Sequence, residues 1–220
     1  MPNLLKFERV EPKQNATAAV IWLHGLGADG YDFVPIVPEL QLADLAIRFI
    51  FPHAQVRPVT LNHGMLMPAW FDIHEISPTA KHDEAGIKAG YEQILALINA
   101  QHELGIAYDR IVLVGFSQGG ALALYTALCL PNKIAGVAGL STYLPLNANL
   151  RAQIGQKNTL PVFLAHGRQD AVVPIEAGEM TRQVLDELNY PVSFHKYAMG
   201  HQVCAQEMHD LSAWLRQLLA

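Results

Sequence analysis

The sequence has few of the residues that mark several classes of protein. Among its 220 residues are only two cysteines, Cys129 and Cys204, and neither has partners at the spacing of a metal site. We therefore expect two free thiols and no bound metal. Positive charge is also scarce, since 15 Lys and Arg face 20 Asp and Glu and the net charge is −5. Nucleic-acid binding needs a basic surface, so we expect no nucleic-acid partner.

Long apolar runs are absent too. No stretch reaches the roughly 20 residues that a membrane-spanning helix needs. The N-terminal segment has charged residues where a signal peptide has its apolar core: Glu8, Arg9, Glu11 and Lys13. We therefore expect a cytoplasmic protein without integral membrane association.

What the sequence does contain is an alternation of strand-like and helix-like segments. Six short apolar runs have the length of buried strands: Ala18–Leu23, Ala46–Phe51, Arg110–Val114, Ile134–Leu140, Pro161–Ala165 and Val192–Tyr197. Four stretches have helical character: Glu84–Leu104, Gln118–Leu130, Glu176–Leu188 and Gln206–Leu219. The pattern predicts an α/β fold with a mostly parallel central sheet and helices on both faces. The length predicts one domain over 1–220, with functional residues at the carboxyl ends of the strands.

One strand-to-helix corner carries a serine between glycines. In VLVGFSQGGALALY the β-branched residues give way to Ala and Leu at Gly115-Phe116-Ser117-Gln118-Gly119, which fits the pattern G-x-S-x-G. Small residues are needed there because a Cβ beside so sharp a bend would clash. In this context the pattern predicts a nucleophile elbow, which presents the Ser117 hydroxyl beside a helix N-terminus.

A serine nucleophile needs a histidine base, and three histidines come late enough in the chain. His195 lies inside the apparent strand VSFHKY, and His209 lies inside the last helix. His201 instead follows Gly200 in the loop between that strand and that helix, at a carboxyl strand end. The sequence therefore favours His201.

Asp170 is the candidate carboxylate that orients this base. It follows the strand that ends near Ala165, whereas Glu176, Asp186 and Glu187 lie on or beside a helix and have the character of solvated charges. The alternative for Asp170 is a turn or helix-cap role, which aspartate often fills. Position and chain order favour a Ser-Asp-His triad.

A glycine-rich turn, His24 to Gly30, follows the first predicted strand. Its glycines let main-chain N–H groups approach a ligand, and we expect the N–H groups of Leu26 and Gln118 to form an oxyanion hole. A phosphate-binding turn is the alternative, but HGLGADG lacks the lysine of a P-loop and is not G-x-G-x-x-G.

Six segments together resemble a known family: VIWLHGLGADG, MPAWFD, GFSQGG, LSTYLP, HGRQDAVVP and MGHQV. In order and spacing they are similar to bacterial carboxylesterases related to acyl-protein thioesterases and lysophospholipases. The likeness runs from about Val20 to Leu219. Ala198 stands where the family often has proline. Ala28-Asp29-Gly30 replaces the Asp-Thr-Gly or Asp-Ser-Gly of eukaryotic thioesterases, which points to the bacterial branch.

The resemblance implies an α/β-hydrolase without a separate cap domain that cleaves esters and thioesters and uses no cofactor. Carried over by motif, Ser117 is the nucleophile, Asp170 the acid and His201 the base, with Leu26 and Gln118 as oxyanion donors. The expected partner is a small ester or thioester, in some cases derived from a lipid, and relatives frequently form homodimers. A lysophospholipase or acyl-protein thioesterase is the alternative activity.

The segment from 52 to about 81 breaks the alternation. It contains Pro58, Pro68 and Pro78 and shows no sustained period, so we expect an irregular lid or acyl-binding loop. Its apolar side chains are the expected acyl contacts: Met65, Leu66, Met67, Trp70 and Phe71. The alternative is that they only cover the sheet edge or a homodimer contact.

Two other classes of function fit less well. A binding protein on the same fold would have no reason to hold the serine, the acid, the base and both glycine turns together. A metal-dependent hydrolase needs a ligand cluster, and the histidines form no H-E-x-x-H pattern.

Overall fold

A twisted seven-stranded sheet organises the molecule. The computed structural model describes residues 4–75, 82–145, 154 and 159–220. The strands of this sheet are Phe7–Val10 (β1), Ala18–Leu23 (β2), Ile47–Pro52 (β3), Ile111–Phe116 (β6), Gly136–Leu140 (β7), Val162–Gly167 (β8) and Val192–Tyr197 (β9). They lie in the order β1-β3-β2-β6-β7-β8-β9, and β1 runs antiparallel to β3 while the other pairs are parallel. The parallel strands thus bring their carboxyl ends to one edge.

Helices cover both faces of this sheet. The four α-helices described are Glu84–Glu103 (α1), Gln118–Cys129 (α2), Ile175–Glu187 (α3) and Ala205–Leu219 (α4). Side chains of α1, α2 and α3 pack in one apolar cluster, and those of α4 pack in the other. A 3₁₀ helix, Val34–Leu40, lies against α4 on that second face.

Strand β2 shows why the sequence folds this way. All six of its residues are buried, with Ala19, Ile21 and Leu23 in one cluster. The residues between them, Ala18, Val20 and Trp22, pack in the other cluster. Because side chains alternate across a strand, a continuous apolar run fits only a strand covered on both sides. Each large side chain buried here contributes about 2 kcal/mol.

The predicted α/β fold is confirmed. Each of the six predicted strands and four predicted helices is present, with ends that differ by no more than a few residues. Strand β1 was missed because FERV is short, half-buried and charged, so it lacks the apolar signal of the inner strands.

The expectation of an irregular segment over 52–81 is wrong for its first part. A two-stranded antiparallel hairpin forms there from Val56–Val59 (β4) and Met65–Pro68 (β5), joined through His63 and Gly64 at positive φ. Both strands of so small a ribbon are edges, so Pro58 and Pro68 can lie in them without breaking a central ladder. That is why the prolines misled the prediction. Residues 76–81 of that segment, including Pro78, lie outside the described residues.

Candidate active site

The corner between β6 and α2 is too tight for side chains at its glycines. A Cβ on Gly115 would lie 2.3 Å from the Gly119 carbonyl oxygen, and a Cβ on Gly119 would lie 2.4 Å from the His24 carbonyl oxygen. Ser117 itself has φ 52° and ψ −120°, a strained conformation for a residue with a side chain. The backbone therefore forms the sharp turn that the sequence predicts.

Hydrogen bonds at its N–H and at its carbonyl oxygen hold the strained residue. The Ser117 N–H donates to the Leu140 carbonyl oxygen at 2.9 Å, and the Thr142 hydroxyl donates to the Ser117 carbonyl oxygen at 2.6 Å. Although Ser117 is the N-cap of α2, its side chain makes no capping bond. Its hydroxyl is thus left to face the loop after β9.

His201 lies between Ser117 and Asp170. Its Nε2 is 3.0 Å from Ser117 Oγ, and its Nδ1 is 2.7 Å from Asp170 Oδ2. A carboxylate can only accept, so Nδ1 carries the hydrogen and Nε2 presents a lone pair to the hydroxyl. Residues far apart in sequence thus form one connected line of hydrogen bonds.

The carboxylate of Asp170 is fully enclosed. Its side chain has 0% exposure. Its Oδ1 accepts the N–H groups of Val172 and Val173, each at 2.9 Å. With the bond from His201, the carboxylate has three donors, which fix its orientation. A fixed carboxylate is what an imidazole needs to hold one tautomer and accept a proton.

The loops that carry Asp170 and His201 are joined by main-chain bonds. Arg168 N–H donates to the Tyr197 carbonyl oxygen at 2.8 Å, and Gln169 N–H donates to the Met199 carbonyl oxygen at 3.0 Å. These bonds continue the pairing of β8 with β9 beyond the strand ends. These bonds therefore fix the position of Asp170 relative to His201.

A buried histidine supports the acid loop from beneath. His166 Nε2 donates to the Val173 carbonyl oxygen at 2.8 Å and lies 3.6 Å from Asp170 Oδ2. Burial lowers the pKa of His166, so it stays neutral near pH 7. It is therefore a fixed donor that shapes the turn around Asp170.

The turn after β2 offers main-chain donors. Within the described ranges, no acceptor binds the N–H of Leu26 or of Gln118. Gly27, at φ 78°, donates its own N–H to the Pro68 carbonyl oxygen at 2.9 Å, which ties the turn to the hairpin. The two N–H groups expected to form an oxyanion hole are thus free to bind a ligand.

His24 braces the same turn. Its Nδ1 donates to the Gly25 carbonyl oxygen at 2.7 Å, and its Nε2 accepts the Ala54 N–H at 3.1 Å. One ring nitrogen donates and the other accepts, so the imidazole is neutral. Burial, which lowers the pKa of His24, favours the same state.

A cavity of about 220 Å³ contains the serine and the histidine. Its lining is mostly apolar around these groups: Gly25, Leu26, Ala28, Asp32, Ile73, Phe116, Ser117, Gln118, Tyr143, Val172, Val173 and His201. A larger cavity, of about 620 Å³, lies between the 3₁₀ helix and α4. The larger cavity would be chosen as the active site on size alone, but Ser117 and His201 line the smaller one.

The other candidate histidines lie away from Ser117. His195 is on β9, with Nε2 2.6 Å from Ser193 Oγ and Nδ1 3.9 Å from Asp210 Oδ2. His209 lies on α4 and lines the larger cavity. The structure thus brings only His201, of the three, to the serine.

Of the five predicted acyl-contact residues, Met67 on β5 is partly exposed, and the other four separate into two pairs. Met65 and Leu66 are exposed on β5, by 64% and 68%. Trp70 and Phe71 are each 1% exposed and belong to the core, so the two pairs differ in their access to solvent. None of the four lines the cavity around Ser117. Contact with substrate stays a prediction for all of them, and burial argues against it for Trp70 and Phe71.

Sequence reasoning missed several supporting residues. Thr142 lies in the segment LSTYLP, which carried part of the family resemblance, but no spacing rule assigns its hydroxyl to the Ser117 carbonyl. His24 and His166 each precede a glycine just after or at the end of a strand, and this shared position could have signalled a role in bracing a turn.

Three further observations concern metal binding, membrane crossing and the cysteines. Among the described residues, no three His, Cys, Asp or Glu side chains form a potential metal site. No helix in the described part of the chain combines the length and the apolar character that crossing a membrane requires. Cys129 and Cys204 are both free thiols.

Known proteins resemble this chain along its whole length. The family model described as phospholipase/carboxylesterase matches residues 6–219. An acyl-protein thioesterase 1 of Cryptococcus neoformans is 37% identical over 237 residues, covering 100% of both chains. That of Neurospora crassa is 38% identical over 214 residues, covering 92% of this chain and 87% of the relative. The crystal structure of Zea mays acyl-protein thioesterase 2 has 30% identity and a TM-score of 0.86, covering 98% of this chain and 99% of that one.

Proposed function

Since the chain belongs to the phospholipase/carboxylesterase family and is a hydrolase of esters or thioesters, we propose that it acts through an acyl-serine intermediate on Ser117. The observation that carries this proposal is the continuous line of bonds from Ser117 Oγ through His201 to Asp170, at 3.0 and 2.7 Å. A hydroxyl within hydrogen-bond distance of a base that is itself oriented by a carboxylate is the arrangement of an activated nucleophile.

The first half-reaction forms the acyl-enzyme. His201 Nε2 takes the proton of Ser117 as Oγ attacks the carbonyl carbon of the ester or thioester. The N–H groups of Leu26 and Gln118 bind the oxyanion that develops, and the positive end of α2 favours the same charge. The imidazolium then gives its proton to the departing alcohol or thiol, and the acyl group remains on Ser117.

The second half-reaction restores the serine. His201 takes a proton from water as the water attacks the acyl carbon, and it returns this proton to Ser117 Oγ as the acid leaves. Asp170 stabilises the imidazolium in both half-reactions. The cycle uses no cofactor.

We propose the exposed face of the hairpin as the contact for the acyl chain. Met65 and Leu66 are apolar, exposed and on the strand that bonds to the turn of Leu26 through Pro68 and Gly27. The alternative use of this face is a homodimer contact, which light scattering would detect. The name of the fungal and maize relatives favours acyl-thioesters, including lipid-derived ones, among the substrates, with a lysophospholipase activity as the other candidate.

We propose three narrower assignments. The turn Ala28-Asp29-Gly30 supports the bacterial esterase branch, and the free thiols of Cys129 and Cys204 support a cytoplasmic location. Two apolar clusters on opposite faces of one sheet support a single domain over 1–220.

Hydrolysis of p-nitrophenyl esters and of acyl-thioesters by the full chain tests the proposal. We expect turnover of both classes, unchanged by a chelator and abolished in Ser117→Ala. Undiminished turnover in Ser117→Ala would overturn it. Rates for acyl chains of increasing length would then separate short-chain esterase from thioesterase or lysophospholipase specificity.

A further inference from the structure

Buried hydrogen bonds through Trp70 join the turn after β2 to the turn after β6. Trp70 Nε1 donates to the His24 carbonyl oxygen at 2.8 Å. Trp70 N–H donates to Gln118 Oε1 at 3.0 Å, and Gln118 Nε2 donates to the Phe71 carbonyl oxygen at 2.7 Å. Trp70 thus bonds to both turns, although it belongs to neither.

These bonds end at the two segments that hold the proposed oxyanion donors. Gln118 is itself one donor residue, and His24 lies two positions before the other, Leu26. The two segments are also in close contact, because the His24 carbonyl oxygen lies only 2.4 Å from the position that a Cβ of Gly119 would take. A shift of the His24 peptide would therefore change the position of the Leu26 turn relative to the elbow.

Burial makes the link rigid. Trp70, Gln118 and His24 are each 1% exposed, so water cannot readily replace a bond that is lost. The rings of His24 and Trp70 lie 5.0 Å apart, and the His24 side chain is held by its own two bonds. The side chain of Gln118 has no freedom to reorient, since both ends of its amide are bonded to the Trp70-Phe71 backbone.

We infer that Trp70 is a positioning residue that sets the distance between the Leu26 and Gln118 N–H groups of the oxyanion hole. This inference rests on the proposed function. An oxyanion hole stabilises the transition state only when its donors are fixed where charge develops. Loss of the indole bond would loosen the Leu26 turn, lowering transition-state stabilisation while leaving the walls of the cavity in place.

The test compares two tryptophans that differ in one bond. Trp70 and Trp22 are both 1% exposed and both pack in the core. Unlike Trp70, Trp22 has no hydrogen-bond partner for its indole nitrogen in the described part of the chain. Trp70→Phe and Trp22→Phe therefore remove similar apolar volume, but only the first removes a bond to His24.

We expect both variants to lower Tm, and Trp70→Phe to lower it more, because it leaves the buried His24 carbonyl oxygen without a donor. Only Trp70→Phe should lower kcat, by about 10- to 100-fold, with KM and the pH profile unchanged. It should also weaken binding of a trifluoromethyl ketone by a similar factor, because this inhibitor forms a tetrahedral oxyanion on the serine. If Trp70 had only a structural role, Trp70→Phe would lower Tm without matching losses of kcat and inhibitor affinity.

Equal kcat values for the two variants would overturn the inference. If Trp70→Phe is unfolded at the assay temperature, Gln118→Met replaces it, since it removes both side-chain bonds and keeps the Gln118 main-chain N–H. The same loss of kcat would support the inference, and a wild-type kcat would overturn it. Ser117→Ala distinguishes failure of the proposed function from failure of the inference about Trp70. Full activity in Ser117→Ala would overturn the proposed function. Loss of activity in Ser117→Ala, together with an unchanged kcat in Trp70→Phe, would overturn only the role of Trp70.

Discussion

The loops that carry the proposed triad differ in construction from the hairpin beside them. Ser117, Asp170 and His201 stand on short turns that extend the central sheet, and their polar atoms bond to one another or to main-chain groups. The hairpin instead presents Met65 and Leu66 to solvent and pairs only two short strands. We infer that the turns perform the reaction, which is the same for all substrates, and that the hairpin discriminates between acyl chains.

The change between the two kinds of structure occurs within a few residues. Leu66 is 68% exposed, whereas Trp70 is 1% exposed and bonded to His24 and Gln118. Apolar residues four positions apart in the sequence thus lie in different environments, one in solvent and one in the core. Variants on each side of this boundary should have different kinetic consequences.

The largest effect should come from the triad. Ser117→Ala and His201→Ala should each lower kcat by roughly 10⁴-fold or more, because the members act as a unit. His195→Ala should change kcat little, since its partners are Ser193 and Asp210 rather than Ser117. Steady-state hydrolysis of one short-chain ester measures all three. A larger loss of kcat in His195→Ala than in His201→Ala would show that His201 is not the base.

The next effect concerns the elbow backbone. Gly115→Ala should lower the free energy of unfolding by at least about 3 kcal/mol, because its Cβ would meet the Gly119 carbonyl oxygen at 2.3 Å and the backbone must shift. Gly200→Ala is the control, since the nearest atom to its Cβ lies at 3.7 Å. Denaturant unfolding compares the two. Similar stability of both variants would mean that the corner is more adaptable than its geometry indicates.

A buried carboxyl just after the His201 loop should make stability depend on pH. Burial raises the pKa of Glu207 from 4.5 to about 8, against a weaker opposing effect of the Cys204 N–H. The folded state therefore holds a proton that the unfolded chain releases, and the free energy of unfolding falls as pH rises from about 4.5 to about 8.

Glu207→Gln removes this titration. The variant should be more stable than the parent by on the order of 4 kcal/mol at pH 8, with little difference near pH 4. Unfolding curves across this range give the comparison. Parallel pH dependence of the two proteins would show that Glu207 ionises normally in the folded state.

The smallest effect should come from the hairpin and should depend on the substrate. Leu66→Ser should lower kcat/KM for a medium-chain ester more than for an acetate ester, by up to about 0.8 kcal/mol for each methylene that loses contact. Leu104→Ser is the matched control, because Leu104 is 67% exposed at the far end of α1. Equal losses on both esters, with a parallel fall in Tm, would place the acyl chain elsewhere.

The sequence predicted the elements whose signals are local. Strand β2 and the corner at Gly115 depend on neighbouring residues alone, through burial on both faces and the need for small side chains at a bend. The approach of Asp170 and His201 could also be predicted, because strand ends in a parallel sheet meet at one edge.

The hairpin could not be predicted in the same way. Its pairing of Val59 with Met65 is a contact between two short, partly exposed strands, each of which contains a proline and lacks the alternation of apolar and polar residues. The burial of Trp70 depends on partners at His24 and Gln118, which are 46 and 48 positions away in the chain. Periodicity contains no information about such distant bonds.

The central claim is that Ser117 carries the acyl group, and covalent labelling tests it most directly. A fluorophosphonate should add one mass equivalent to the full chain, peptide mapping should place it on Ser117, and hydrolysis of esters and thioesters should fall in proportion to the labelled fraction. His201→Ala should label far more slowly, and His195→Ala should label at the parental rate. Labelling of Ser117→Ala at the parental rate, or full activity in the labelled protein, would contradict the account.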